Sequence, residues 1–325
     1  MKMTKLAILA ALILFPFFVV HEFRVVDQKH VLTTKMRYDA AIHAAVDDAA
    51  QSLILNSEQA QESRYDSLKR VKLNRVEGIR SFYRTLYTNF DVTEDANGQS
   101  LLDIYIPVIA MIGYDGYYIY ADEEFKNEQG ETEIRHVWSI KKPYAYQDNA
   151  GNTIAFTLDN YVIAYDQINR TWVKGFQREI GESTSISLLQ PNAMFEQVRR
   201  QSIVHLIQED LRYYLQKHNT YAKQLGITYT FTLPTISQEA WNNTIDDVGV
   251  IAFVQGIPIG DQHYNNYALG GARLVKASTY RGIQANGVKY YYRERDCAST
   301  LPTIETFLSE KEAALQGYYP LSCQR

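Results

Sequence analysis

Residues 6–20 read LAILAALILFPFFVV, a run without a charge or a strongly polar side chain. As a helix it spans about 22 Å, short of the roughly 30 Å hydrocarbon core of a bilayer. Met3, Thr4 and Phe23 extend the span, and Lys2 and Lys5 are long enough to snorkel. Two readings compete, a cleaved secretory signal and an uncleaved anchor. A signal peptidase needs small residues where the run ends. Here it ends in the bulky or charged Phe17-Phe18-Val19-Val20-His21-Glu22-Phe23, which favours the anchor. Pro16 is tolerable in mid-span because neighbouring groups satisfy the freed carbonyl. The expectation is a cytoplasmic tail over 1–5 and a transmembrane anchor over 6–23 in contact with membrane lipid. Lys2 and Lys5 precede the span and Arg24 and Lys29 follow it, so charge alone orients it weakly. A cysteine pair far downstream fits an exported domain. The N-terminus is therefore read as cytoplasmic and the bulk of the chain as extracytoplasmic, at the cell membrane.

Outward from the anchor, Val25 to about Leu55 has no Pro or Gly. Its apolar residues fall three, four or seven apart, the spacing of a helix. Its stretch Ala40–Ile54 is rich in alanine, the best helix former, and small residues on a stripe let another helix approach closely. A second amphipathic stretch runs over Leu68–Phe90, with Val76, Ile79, Tyr83, Leu86 and Phe90 as its stripe. Ser57, Ser63 and Asp66 supply turn and cap chemistry between the two. Residues 24–91 thus read as a helical stalk or hairpin. Lys69, Arg70, Lys72 and Arg75 could meet anionic lipid or wall polymer. With Glu62, Asp66 and Glu77 nearby, a solvated helix face is the preferred reading.

Beyond Asn97-Gly98 the pattern turns to strands. Ile104–Ile112 and Tyr117–Ala121 flank a Gly-Tyr-Asp-Gly turn, a hairpin signal, with Pro107 pointing to an edge or a bulge. Further strands are expected at Glu133–Ile140, Thr153–Leu158, Tyr161–Tyr165, Thr228–Leu233, Val248–Val254, Ala272–Ala277 and Val288–Tyr292. A long helix follows Pro191, with Asn192 near its start and Gly226 at its end. Ser237 opens a short helix, and Thr303–Leu315 is read as a last one. The fold class expected is α+β: an N-terminal transmembrane helix continuing into a helical stalk, then a head over 92–325 with a mixed, mainly antiparallel sheet and packed helices. A loop-like stretch near 181–185 divides that head into lobes 92–185 and 190–325.

Chemistry is sparse. The chain has 325 residues, and 33 basic against 37 acidic residues leave a net charge of −4. That balance argues against a nucleic-acid partner, which needs concentrated Lys and Arg. A hydrophobic fraction of 46% with 22% charged is ordinary globular usage, and two cysteines exclude a multi-cysteine metal centre. If exported, Cys297 and Cys323 bond and close a loop, worth about 3–4 kcal/mol by loop entropy; in a cytoplasmic head they stay free thiols. No His-Glu-x-x-His, nucleophile elbow, Walker loop or dinucleotide fingerprint occurs, so no cofactor, metal or catalytic residue is expected. His43 and Asp47, four apart, could seat half a metal site, and surface pairing is the commoner role of such a pair. The Gly-bounded polar stretch Asp261, His263, Tyr264, Asn265, Asn266 and Tyr267 is the candidate binding loop, and Asp261 with His263 is the one acid–base pair it offers. There are 25 tyrosines against 13 phenylalanines. Tyr117, Tyr118 and Tyr120 are read either as an aromatic contact surface or as ordinary strand residues.

The basic start, single apolar span and the sequence YDAAIHAAVDDAA over 38–50 resemble membrane-anchored pilin-like proteins, with the Tad-type minor pilins and conjugation-associated exported proteins nearest. The likeness covers roughly the first 60 residues. Prepilins carry a Gly before the apolar run and a Glu near its fifth residue, and this chain has neither. The resemblance implies a non-enzymatic, single-pass component of a pilus, secretion or conjugation apparatus that meets other membrane-anchored or surface-machine proteins. The alternative is an extracytoplasmic, PAS-like ligand-sensing domain. An exported hydrolase using the 261–267 stretch ranks last.

Overall fold

The computed structural model describes residues 2–55, 67, 69–190, 194–272, 280–293, 301–307 and 310–321. Of residues 2–12, 293 and 310–312 only the backbone is described. The chain is α+β with a long N-terminal helix and antiparallel sheets, in two compact units, Met1–Leu274 and Val275–Arg325.

Helix α1 (Lys2–Ile54) is uninterrupted, about 80 Å of rod, with Pro16 inside it. From Ile13 to Val26 its large apolar side chains other than Val19 are exposed, Phe15 at 71% and Phe23 at 70%. Among the described residues no helix is long and apolar enough to cross a membrane. From Val31 the same helix packs on the core, and Ile42, Ala45, Val46, Ala49, Ala50 and Leu53 are fully buried. Their spacing of three and four makes one stripe, and the alanines let the helix lie close to the sheet. Helix α2 (Arg75–Asn89) packs along it. A Cβ on Gly78 would stand 2.6 Å from Leu53 Cδ2, so glycine sets how near the two helices come. Asn74 caps α2 by accepting from the Glu77 N–H at 3.2 Å. The helix expected over 68–90 thus begins only at 75, and Lys69, Arg70 and Lys72 lie ahead of it. Lys69 Nζ is 3.8 Å from Asp247. Ser57, Ser63 and Asp66 lie outside the described residues.

Helix α3 (Ala96–Ile104) occupies the place where strands were expected to start, capped by Asp95. Five strands follow that build the central sheet: β1 (Val108–Gly113), β2 (Gly116–Lys126), β3 (Thr132–Trp138), β8 (Val248–Ile259) and β9 (Gln262–Ala272), in the order β3-β2-β1-β8-β9. All neighbours are antiparallel. Pro107 does not mark an edge: it lies just before β1, which is interior, so its missing N–H breaks no ladder. Four further strands, β4 (Tyr144–Gln147), β5 (Thr153–Phe156), β6 (Tyr161–Asp166) and β7 (Thr171–Phe176), form an antiparallel sheet in chain order.

Both faces of the central sheet are covered. Adjacent residues of a strand point opposite ways. Tyr118 lies under the Arg75 guanidinium of α2 at 4.1 Å, whereas Tyr117 donates to Leu206 O and Asp210 Oδ2 of helix α5 (Met194–Gln224). This double cover explains why β8 is almost wholly apolar and buried. Between them, helix α4 (Gln177–Ile180) follows β7, and helix α6 (Gln238–Thr244) follows α5 with Ser237 as its cap, accepting from the Ala240 N–H at 3.1 Å. Because α5 packs on β1, β2 and β4, residues 92–185 and 190–325 are not separate lobes. The division falls instead at 274/275, and the second half of the stalk is core of the first unit.

Thr228–Leu233 alternates as expected but joins no ladder. Side-chain amides take the place of a neighbouring strand. Asn219 accepts from the Phe231 N–H at 2.7 Å and donates to its carbonyl at 2.8 Å, and Gln255 does the same for Thr232 at 3.0 and 2.8 Å.

The second unit contains β10 (Tyr280–Ala285), β11 (Val288–Arg293), β12 (Glu305–Phe307), helix α7 (Glu310–Leu315) and β13 (Tyr319–Pro320). The helix expected over 303–315 is therefore a strand followed by a short helix. Cys297, Cys323, Asn192 and residues 273–277 lie outside the described residues.

Candidate functional site

Strand β2 outlasts its inner neighbour. Its pairing with β1 ends at Ala121↔Val108, while its pairing with β3 continues to Lys126↔Thr132. In the space beyond the start of β1 sit the end of α3, the Tyr105–Pro107 turn and His218 of α5. Asp122 of β2 and His136 of β3 are cross-strand partners there. One Asp122 oxygen is 3.2 Å from His136 Nδ1, and the other is 2.7 Å from His218 Nδ1. The far nitrogens face main-chain carbonyls: His136 Nε2 lies 3.0 Å from Ile106 O, and His218 Nε2 lies 3.0 Å from Ile104 O. Ile104 ends α3, so its carbonyl is one the helix leaves unpaired.

All four ring nitrogens thus face acceptors. An imidazole donates from both nitrogens only as the imidazolium, so this geometry is fully bonded when both rings are charged. His218 is only 3% exposed. Burial pushes the Asp122 carboxyl up, but the His218 hydrogen bond and the charges of His136, His218 and Lys217 outweigh it and hold the group below the usual carboxylate range. A ring whose two nitrogens are both bonded to the protein has none left to take a proton from a substrate, so this knot orders side chains rather than offering a general base.

The knot forms one wall of a cleft of about 760 Å³. Opposite it stand Tyr83 and Tyr87 of α2 and Asp103 of α3, with Tyr120 of β2 stacked on His136 at 5.3 Å. Tyr87 donates to Asp103 Oδ1 at 2.6 Å. Burial raises the Asp103 carboxyl, and the Tyr87 hydrogen bond and His136 only partly offset it. Burial also raises the Tyr83, Tyr87 and Tyr120 hydroxyls, with Asp103 adding to each. Among the described residues no group of three His, Cys, Asp or Glu is placed to hold a metal ion.

The residues singled out from sequence lie elsewhere. Asp261–Tyr267 is not a loop: Asp261 stands in a tight turn and the rest belong to β9. The glycines that imitated loop boundaries have other roles. Gly256, at φ +87°, sits where the β8–β9 register shifts, and Gly260, at φ +56°, makes the turn. Tyr264 Oη and Asn266 Nδ2 both donate to Asp39 Oδ1 of α1, at 2.7 and 2.6 Å, pinning the helix to the sheet. Asn265 accepts from the Gly256 N–H at 3.0 Å, His263 lies beside the Tyr229 ring, and Tyr267 lies beside Phe253. Tyr117, Tyr118 and Tyr120 form no outward surface: Tyr117 is buried against α5, Tyr118 packs under Arg75, and Tyr120 lines the cleft. His43 Nδ1 contacts its own helix at Asp39 O, 2.8 Å away.

Sequence reasoning missed Asp103, Asp122, His136 and His218. The Asp122–His136 pairing was legible only to a reader who had already fixed the β2–β3 register, and His218 comes from an element with no local link to either. No family model matches the chain, and neither does any curated protein or solved structure.

Proposed function

We propose that this chain is a non-enzymatic, single-pass membrane-anchored extracytoplasmic component of a bacterial pilus, secretion or conjugation apparatus. One observation carries the reading: α1 is a single helix with an apolar, exposed first part and a second part buried in the head core. Phe15, Phe17, Phe18 and Phe23 form an exposed apolar patch of the kind that marks a membrane or protein contact. Residues 6–12, equally apolar in sequence, precede them in the same helix. A rod continuous with the core sets the head at a fixed attitude to whatever surrounds the apolar part, which is what an assembling surface component needs. Lipid around 6–23 and the helices of other anchored subunits are the partners this implies.

The test is protease shaving of intact cells carrying a tag after Arg325, with recovery of the tagged chain from membranes. Loss of the tag together with co-recovery of surface-machine subunits supports the reading. A protected tag, or a chain found in the medium without its first twenty-odd residues, refutes it. The cleft favours a second reading, an extracytoplasmic ligand-sensing domain, because a concave site with converging polar groups is how small molecules are held.

A further inference from the structure

We propose that the cleft beside β2 and β3 binds an organic ammonium ion, its charged head resting on Asp103 between the rings of Tyr83, Tyr87 and Tyr120. Asp103 Oδ1 is taken by Tyr87, and Oδ2 has no hydrogen-bond partner among the described residues. A half-buried carboxylate with an open oxygen is stabilised by a cation placed against it. No basic side chain among the described residues is hydrogen-bonded to Asp103, although His136 lies near enough to lower its carboxyl. His136 and His218 turn their ring nitrogens to Asp122 and to main-chain carbonyls, and the Arg135 guanidinium lies over Phe125 at 4.8 Å.

The walls suit the same ligand. Tyr83 and Tyr87 ring centroids are 5.4 Å apart, and those of Tyr83 and Tyr120 are 6.5 Å apart. Ring faces carry partial negative charge and attract ammonium groups. The Tyr83 and Tyr120 hydroxyls have no hydrogen-bond partner among the described residues and can accept from an N–H. An anion fits poorly against Asp103, whose carboxylate repels it, and the ring nitrogens of His136 and His218 already face Asp122 and main-chain carbonyls. Among the described residues no ligand trio is placed for a metal ion. A volume of about 760 Å³ admits an organic body behind the ammonium group. The inference holds whether or not α1 spans a membrane, so its test is separate from cell shaving.

The experiment is calorimetric titration of the full chain in detergent micelles, corrected with a micelle blank, using n-propylammonium chloride, n-propanol and sodium propionate at matched ionic strength. The expected result is saturable binding of propylammonium, with propanol and propionate at least tenfold weaker. Asp103→Asn keeps the shape and removes the charge, and should weaken propylammonium at least tenfold. Ser100→Arg changes an exposed helical position lining the cleft, places the protein's own cation there and should abolish binding; it decides the matter if the Asn variant does not fold. Equal binding of propanol, tighter binding of propionate, no saturable propylammonium binding, or binding unchanged in the folded variants would each overturn the proposal.

Discussion

Removing the shared carboxylate of the histidine knot should unsettle the whole first unit. Asp122→Ala leaves the Nδ1 donors of His136 and His218 without their acceptor, at sites now 3.2 and 2.7 Å from a carboxylate. A hydrogen bond to a charged group contributes about 1.5–3 kcal/mol, and breaking a buried ion pair costs roughly 3–5 kcal/mol. The two bonds share one carboxylate and do not add fully. The expected loss is therefore about 3 kcal/mol, roughly a hundredfold in the folding constant. Urea unfolding at pH 7, followed by tryptophan fluorescence, measures it, since Trp138 lies 4.9 Å from Tyr120 beside the knot. Repeating the change in a His218→Leu background should show about 1.5 kcal/mol or more of coupling. The pH dependence has a definite sign. The Asp122 carboxyl is held below its ordinary value in the folded chain, so its contribution is complete above its unfolded value, about pH 4, and is lost as pH falls below that. The gap between wild type and variant should therefore close in acid. A loss below about 1 kcal/mol at pH 7, or no coupling to His218, would refute two rings joined through Asp122.

Four further outcomes are expected. Deleting residues 2–30 should leave the melting temperature of the head unchanged, because side chains 13–30 are outside its core, whereas deletion through Ile54 removes the buried stripe and should abolish the cooperative melt seen by circular dichroism. Gly270→Val should cost about 1–3 kcal/mol in urea unfolding, since a Cβ there would stand 2.8 Å from Val46 Cγ1 and 3.1 Å from the Val46 carbonyl. Gln255→Ala leaves the Thr232 N–H and C=O without their clamp and should cost about 1–3 kcal/mol, with faster hydrogen exchange at Thr232. Asp166 is fully buried and accepts from Asn169, Thr184 and Ser185; burial opposes its charge, but these bonds hold its carboxyl far below the usual range. Asp166→Asn should cost about 3 kcal/mol at pH 7, a penalty that shrinks below about pH 4, where the Asp166 carboxylate of the unfolded wild-type chain takes up its proton.

The long helix was legible from residue types alone. An unbroken apolar run, then alanines at spacings of three and four with no Pro or Gly after Pro16, leave the backbone little alternative to helix. The interior strand β8 was equally plain, because a run as apolar as VIAFV must be covered on both faces. Helix α6 and strand β11 were also read correctly by local chemistry, and in α6 Ser237 accepts from the N–H three residues on. Reading failed where a glycine or a polar residue had a long-range reason to be there. Gly256, Gly260 and Gly270 looked like loop punctuation, yet they make a register shift, a hairpin turn and a close approach to α1. Tyr264 and Asn266 looked like ligand-binding residues because their partner, Asp39, lies more than two hundred positions away.

The amino-acid order thus determined the long helix α1, the apolar strand β8 and the capped helix α6, because backbone propensity and hydrophobic period act over a few residues. Only tertiary structure decided that the second half of α1 belongs to the head and that Asp103, Asp122, His136 and His218 share one cleft. They become neighbours through a strand register and a helix docked across it, and the Coulomb and hydrogen-bond energies that couple Asp122 to His136 and His218 arise only once folding has brought these three within about 3 Å and removed the water between them.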